Sequence, residues 1–180
     1  MPPFFIWTEF KTMQLKTIHK ERYRNRLNRI IIASILALAG ISLGSSTLLI
    51  QLFSAPGAGN FWLNFTGVVL GCLVVGTALK RLKSHPYFFE VAYIWDLKHE
   101  LNLIQRKLKA IQIAADRLEP EALTILAFSY AGSRLIWQLD DNTLVLSELN
   151  KADNALQQKI ADAGLRISAE DYRRQLLEKF

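Results

Sequence analysis

The chain of 180 residues lacks the residue patterns on which several classes of protein depend. Its single cysteine, Cys72, cannot form an intrachain disulfide. It has no glycine-rich phosphate loop, nucleophile elbow, paired-cysteine site or calcium-binding loop, so no standard motif for nucleotide, acyl-transfer or metal chemistry is present. It also has no charged residue and no histidine from Ile30 to Leu79. A charge-free stretch of this length is hard to explain as part of a soluble protein.

The charge-free stretch consists of two apolar runs, residues 30–53 and 61–79, separated by a short segment with proline and glycine. As helices these runs would extend roughly 36 and 28 Å at about 1.5 Å per residue. The hydrocarbon core of a bilayer is about 30 Å thick. The sequence therefore predicts a transmembrane hairpin within residues 30–83.

Basic residues flank both apolar runs, whereas the segment between the runs has no charge. Residues 1–29 carry seven basic and two acidic groups, and residues 119–180 carry seven basic and ten acidic groups. The positive-inside rule then places both termini in the cytoplasm and the short loop outside. We expect seven flanking basic residues to contact lipid head groups: Arg22, Arg24, Arg26, Arg29, Lys80, Arg81 and Lys83.

The region before the first run, residues 1–29, is predicted to be a basic cytoplasmic tail with a juxtamembrane helix. Residues 1–12 differ in composition from the basic segment that begins at Met13. They are either a poorly ordered or interfacial tail or an extension upstream of a start at Met13. A basic leader before an apolar run is also typical of a signal peptide. The run is longer than the usual 7–15 apolar residues, and Pro56 lies in the candidate cleavage zone, so a retained span is favoured.

Small residues at helical spacing occur in both predicted spans. Gly40 and Gly44 lie in the first, and Gly67 and Gly71 in the second. Such faces let helix backbones approach closely in lipid. We expect packing within the hairpin on Gly44, Gly67 and Gly71, with dimerisation through one of the faces as the alternative.

Residues 84–180 are predicted to form a cytoplasmic helical domain. Ser84 as N-cap and Pro86 would open a long helix over residues 86–118. Its apolar residues alternate at spacings of four and three, which is typical of a coiled coil or helical bundle. The interaction seam is Leu97, Leu101, Ile104, Leu108 and Ile111.

Three further segments come after the long helix. Residues 122–139 suit a helix or, alternatively, a β-hairpin turning at residues 131–133, and helix is favoured because the neighbouring segments are helical. Residues 147–163 have helical spacing closed by Gly164. Ser168 would start a last helix ending near Lys179, with Ile167 and Tyr172 as its hydrophobic staple. The predicted fold class is an all-α membrane protein with a two-helix transmembrane hairpin, a long helix and a small cytoplasmic bundle.

The most metal-like cluster is Asp96, His99 and Glu100, which share one face of the long helix. Metal sites in bundles need ligands from facing helices, and no second motif of this kind appears, so an ordinary charged helix face is favoured. His85 is best interpreted as a helix-entry residue. We predict no catalytic residue, no metal site and no cofactor.

Four stretches together resemble an inner-membrane family of Gram-negative bacteria known as domain of unknown function 3087. They are residues 13–29 (MQLKTIHKERYRNRLNR), residues 60–71 (NFWLNFTGVVLG), His85-Pro86, and residues 132–144 (GSRLIWQLDDNTL). The resemblance covers residues 13–180 and leaves residues 1–12 outside it. It implies location in the bacterial inner membrane and topology, and it transfers no catalytic residues.

The sequence thus favours an integral inner-membrane protein that acts as a non-enzymatic interaction or scaffold protein through its cytoplasmic helices. The expected partners are membrane lipid and either a second copy or another protein. No small-molecule substrate is identified, and nucleic-acid binding is not expected because the basic residues lack a binding motif. The alternative is a membrane-interface enzyme or metal-binding protein using Asp96, His99 and Glu100.

Overall fold

The structure is a computed structural model that describes residues 13–54, 59–142 and 145–180, and this described part is helical with no strand. The predicted tail at residues 1–12, most of the loop between the apolar runs (residues 55–58) and residues 143–144 lie outside it. The described residues form five α-helices: α1 (Lys20–Phe53), α2 (Phe61–Leu82), α3 (Phe89–Asp116), α4 (Pro120–Leu139) and α5 (Leu146–Asp162). Short 3-10 helices cover Pro86–Phe88, Ala169–Asp171 and Arg174–Lys179.

The described chain divides into two compact units, and the boundary falls within α3. The two-helix unit is His19–Ala92 and contains α1, α2 and the Pro86–Phe88 turn. The α3–α5 unit contains residues 13–18 and Tyr93–Phe180.

In the two-helix unit, α1 and α2 are each long and apolar enough to cross a membrane. The basic segment from Lys20 continues into the first apolar run as one helix, because no proline or glycine interrupts it before Gly40. Large apolar side chains of these helices face outward: Leu36 is 67% exposed, Leu43 69% and Trp62 72%. The two-helix unit therefore does not bury its large apolar side chains in a core of its own.

The α3–α5 unit has a conventional apolar core. Ile94, Leu97 and Ile104 of α3 are fully buried, as are Leu123 and Phe128 of α4. Leu149, Leu156 and Ile160 line the buried face of α5. Burial of each large apolar side chain contributes about 1.5–3 kcal/mol to the free energy of folding. The apolar faces of α3, α4 and α5 therefore point into this core.

Residues 122–139 are helical and form most of α4, so the favoured of the two alternatives is confirmed. Gly132, at the centre of the possible turn, lies inside the helix. A Cβ built there would come within 3.2 Å of the side chains of Leu97 and Leu101. Glycine at this position thus lets α3 pack closely on α4.

The predicted last helix is wrong. Residues 168–179 form two separate 3-10 turns, and between them Tyr172 and Arg173 have extended backbone with ψ of 132° and 137°. Ser168 does cap the first turn, since its Oγ accepts a hydrogen bond from the Glu170 N–H at 3.1 Å. Tyr172, at the break between the two turns, is fully buried in the core, which a continuous helix here would have to accommodate.

The predicted helix start at Ser84 is also corrected. His85 is the N-cap, and its Nδ1 accepts a hydrogen bond from the Tyr87 N–H at 3.1 Å. The turn that it caps is a 3-10 helix before α3. Gly164 closes α5 with φ of +65°, as its left-handed position requires.

Candidate functional site

The contact between α1 and α2 pairs glycines of one helix with serines of the other. A Cβ at Gly67 would lie 2.7 Å from the Ser46 backbone nitrogen, and one at Gly71 would lie 3.3 Å from that of Ser42. Neither position has room for a side chain without movement. The two backbones thus meet closely along this face.

The α1 side of this contact differs from the predicted one. Gly40 and Gly44 face open space, because a Cβ at either would meet nothing within 4 Å. Ser42 and Ser46, which the glycine spacing did not indicate, are buried in their place. Serine is also small, and Ser46 Oγ adds a hydrogen bond to the Asn64 carbonyl at 3.3 Å. Ser42 Oγ is buried without a hydrogen-bond partner among the residues described.

The basic residues proposed for head-group contact divide into two groups. Arg22 and Arg26 are bound by the buried carboxylate of Glu90, with Nη1 to oxygen distances of 3.4 and 2.7 Å. Arg26 also donates to the Tyr87 carbonyl at 3.3 Å and lies 5.0 Å from the centre of the Tyr87 ring. These two arginines therefore tie α1 to the start of α3.

The other basic residues lie on the surface of the two-helix unit: Arg24, Arg29, Lys80, Arg81 and Lys83 are all exposed. Lys80 and Arg81 are in the last turn of α2, where positive charge is favourable beside the helix C-terminus. Glu90 is the residue that the sequence pattern missed. Its carboxylate binds Arg22 and Arg26, so these two residues are not free for external anions.

Glu100 is the central residue of the Asp96, His99 and Glu100 cluster on α3, and it is only 4% exposed. Its carboxylate accepts a hydrogen bond from the Tyr172 hydroxyl at 2.6 Å. Arg174 also binds it, donating from Nε to both oxygens at 3.2 and 3.0 Å and from Nη2 to Oε2. The carboxylate is thus committed to bonds within the protein.

Asp96 and His99 lie beside Glu100 around a small cleft of about 180 Å³ with Met13 and Arg174. Small-molecule pockets typically measure about 300–1,000 Å³, so this cleft is small for a substrate. The described residues contain no group of three or more His, Cys, Asp or Glu side chains that could hold a metal ion. His85 belongs to the two-helix unit, where its ring caps the Pro86–Phe88 turn.

Tyr172 explains why the Glu100 cluster forms. Its ring is stacked on Phe128, with ring centres 4.0 Å apart and planes 12° apart. Burial, and then the hydrogen bond to Glu100, raise the pKa of the Tyr172 hydroxyl, so it stays a neutral donor. The hydrogen bond to Glu100 raises the pKa of Arg174. Sequence spacing did not indicate Tyr172 and Arg174, because they lie over 70 residues from Glu100.

The predicted interaction seam is an internal surface. Leu97, Ile104 and Ile111 are fully buried within the α3–α5 unit, and Leu101 and Leu108 are half-buried. Leu97, Ile104 and Ile111 are therefore not exposed to a partner in this structure, contrary to the expectation from the seam. A spacing of four and three requires an apolar neighbour but does not say whether that neighbour is in the same chain. Here α4 provides it for Leu97 and Leu101, whose side chains lie against Gly132.

Comparison with known proteins gives a single assignment. The family model described as "Protein of unknown function (DUF3087)" matches residues 13–177. No curated protein and no solved structure gives a significant match. The family description names no activity, ligand or partner.

Proposed function

The chain belongs to this DUF3087 family, and we propose that it is a membrane-anchored protein without catalytic activity that presents its α3–α5 unit to a protein partner. In this proposal α1 and α2 form a transmembrane hairpin in the bacterial inner membrane. The basic segments and the α3–α5 unit lie on the cytoplasmic side.

The observation that supports the anchor is the outward direction of the large apolar side chains. Of the most apolar 18-residue window of each helix, only 17% (α1) and 11% (α2) is buried. The core helix of a soluble protein would be mostly buried, and exposing this many large apolar side chains to water would be costly at about 25 cal/mol per Å². Hydrocarbon around α1 and α2 removes that cost.

The charge pattern supports the orientation. Basic residues occur at the start of α1 and in the last turn of α2, whereas the described residues between the helices carry no charge. Under the positive-inside rule both basic ends belong in the cytoplasm. The aromatic cluster of Phe61, Trp62 and Phe65, with ring centres 5.4–6.4 Å apart, would then lie at the outer interface.

Labelling of single cysteines tests the anchor. In a chain with Cys72 replaced by serine, we expect a cysteine at Gly59 to react with a membrane-impermeant maleimide in spheroplasts. A cysteine at Lys151 should react only after the membrane is permeabilised. Carbonate extraction at high pH should leave both proteins in the membrane. Release by carbonate would contradict the anchor, and labelling at Lys151 in intact spheroplasts would contradict the orientation.

The partner proposal depends on which groups the α3–α5 unit uses internally and which it leaves exposed. The Glu100 carboxylate is bonded within the fold, which argues against a catalytic role for it. Ile113 and Leu118 remain 48% and 40% exposed near the end of α3. A photo-crosslinking residue at Ile113 should give a protein adduct in cells, and one at exposed Gln157 on α5 should not. Equal adducts at Ile113 and Gln157, or no adduct at Ile113, would contradict the proposal that a partner binds at this surface.

A further inference from the structure

An open groove runs between α1 and α2 in the two-helix unit, with a volume of about 410 Å³. One wall is α1 from Arg29 to Ile41, and the other is the part of α2 from Val74 to Leu82. Tyr87 also lines it and contacts Arg26 of α1, which places the Pro86–Phe88 turn at the basic end of the groove. The groove is thus polar at one end and apolar along its length.

The chemistry of the walls selects a hydrocarbon occupant. Apart from Arg29, the side chains along α1 and α2 are apolar except for Ser34, whose hydroxyl donates to the Ile30 carbonyl at 2.7 Å. Beyond Arg29, these two described walls therefore offer little to a polar ligand. From Arg29 to Ile41 the groove follows α1 for about 18 Å at about 1.5 Å per residue. One leaflet of a hydrocarbon core is about 15 Å thick, so the length suits a single acyl chain.

The charge at the basic end selects an anionic head group. Arg22 and Arg26 are already bound by Glu90. Arg29, one turn further along α1, is exposed, and within the described part of the chain no hydrogen bond or ion pair is found for it. Its guanidinium can bind a phosphate through two parallel hydrogen bonds. The groove thus ends at an arginine that no described carboxylate of its own unit neutralises.

We propose that this groove binds one acyl chain of an anionic phospholipid of the surrounding bilayer, with the lipid phosphate on Arg29. The proposal rests on the proposed membrane anchor and names the lipid class that the anchor selects. It differs from general contact with the basic flank, because it requires the groove walls as well as the charge. A second copy of the chain in the groove is the competing occupant.

Native mass spectrometry of the full chain in mild detergent tests the proposal. The protein is titrated with phosphatidylglycerol and with phosphatidylcholine of the same acyl chains, and bound lipids are counted. We expect one retained lipid with preference for phosphatidylglycerol. Arg29→Gln should reduce that preference about fivefold, since one basic residue near the surface contributes about that factor. Lys80→Gln removes another exposed charge, outside the groove, and should reduce the preference by less than Arg29→Gln does. An equal reduction in the two variants would indicate general contact with the basic flank and contradict the site on Arg29.

A matched pair of bulky variants tests the walls. Ala37 lines the groove and Ala39 is an exposed alanine of α1 outside it. Ala37→Phe should abolish lipid retention, whereas Ala39→Phe should not. Ala33→Leu is a milder variant of the same wall and should weaken retention. Circular dichroism and elution volume establish that each variant is folded.

Three results would overturn the proposal. They are equal lipid retention in the Ala37 and Ala39 variants, no preference for phosphatidylglycerol, or a protein dimer that Ala37→Phe dissociates. Carbonate extraction of the same variants separates this failure from failure of the anchor. A protein that stays in the membrane but retains no lipid contradicts the groove alone.

Discussion

The two units of the chain bury opposite kinds of side chain. Within the apolar runs of α1 and α2, Ser42, Ser46, Gly67 and Gly71 are buried while leucines and aromatic residues face outward. In the α3–α5 unit the buried residues are mainly leucine, isoleucine and alanine. The contact between α1 and α2 therefore relies on close backbone approach, whereas the α3–α5 unit relies on removal of apolar area from water.

This difference indicates which solvent each unit requires. Water favours burial of large apolar side chains, but hydrocarbon is as apolar as leucine and gives no such advantage. Close approach between small residues still gains van der Waals contact in hydrocarbon. The two units of one chain thus pack by different rules, and substitutions should destabilise them for different reasons.

The largest effect is expected at Tyr172, the aromatic centre of the α3–α5 unit. Tyr172→Ala removes a fully buried ring stacked on Phe128, and we expect a loss of about 3–5 kcal/mol in the free energy of unfolding. Tyr172→Phe keeps the ring and removes only the donor to Glu100, with a smaller loss of about 1–2 kcal/mol. Denaturant titration followed by far-ultraviolet circular dichroism measures both. Equal losses would mean that the ring contributes nothing beyond its hydroxyl.

A charge introduced on the outer face of α2 should show whether that face contacts hydrocarbon or water. Leu73 is 59% exposed, so Leu73→Arg would be harmless in water. In a bilayer centre an arginine costs about 2.5–3.5 kcal/mol, and we expect reduced membrane insertion, measured as the carbonate-resistant fraction. Leu82→Arg, at the basic end of α2, is the control and should insert normally. Normal insertion of both variants would argue against hydrocarbon around α2.

Glycine substitutions should sharpen the contrast within the two-helix unit. Gly67→Ala places a methyl group against the Ser46 backbone, and we expect overpacking to cost about 1–3 kcal/mol in helix association. Gly76→Ala points into open space and should be neutral or slightly stabilising, because alanine is the better helix former. Resistance to unfolding in graded SDS compares the two variants. The same loss in both variants would show that contact with the Ser46 backbone does not decide the effect.

The smallest effect is a dependence on alkaline pH that belongs to the α3–α5 unit. Burial raises the pKa of the Tyr172 hydroxyl above its ordinary value of 10.0, so as pH rises the unfolded chain releases this proton first. The stabilising contribution is complete below pH 10 and is lost above it. Between neutral pH and about pH 11, the free energy of unfolding of Tyr172→Phe should fall by about 1 kcal/mol less than that of the parent. Parallel pH profiles for the two proteins would contradict this assignment.

The helical fold could be predicted from the sequence because its signals are local. Charge-free runs and apolar spacing repeat every few residues, so they indicated α1, α2 and most of α3 to α5. Contacts between distant segments could not be predicted in this way. The seam of Leu97 and Ile104 could not reveal that α4 would cover it, and the serines of α1 looked no different from other small polar residues in a span.

The candidate site was harder to predict for the same reason. Asp96, His99 and Glu100 were found together because they share one helix face. The role of Glu100 depends on Tyr172 and Arg174, whose own local sequence favours a helix that does not form. Glu90 likewise acquires its role through Arg22 and Arg26. Ion pairs between distant segments determine which basic residues are bound within the chain. Spacing along the sequence does not predict these pairs.

The bond between Tyr172 and Glu100 has a consequence for the order of events during synthesis. Tyr172 leaves the ribosome 72 residues after Glu100, an interval of roughly 4–14 s at about 5–20 residues per second. During that interval a buried carboxylate site and the face of Phe128 are present without their partner. The ring that completes this core arrives long after α1 and α2 are made. A released chain truncated before Tyr172 should therefore be a better substrate for chaperones and proteases than the full chain.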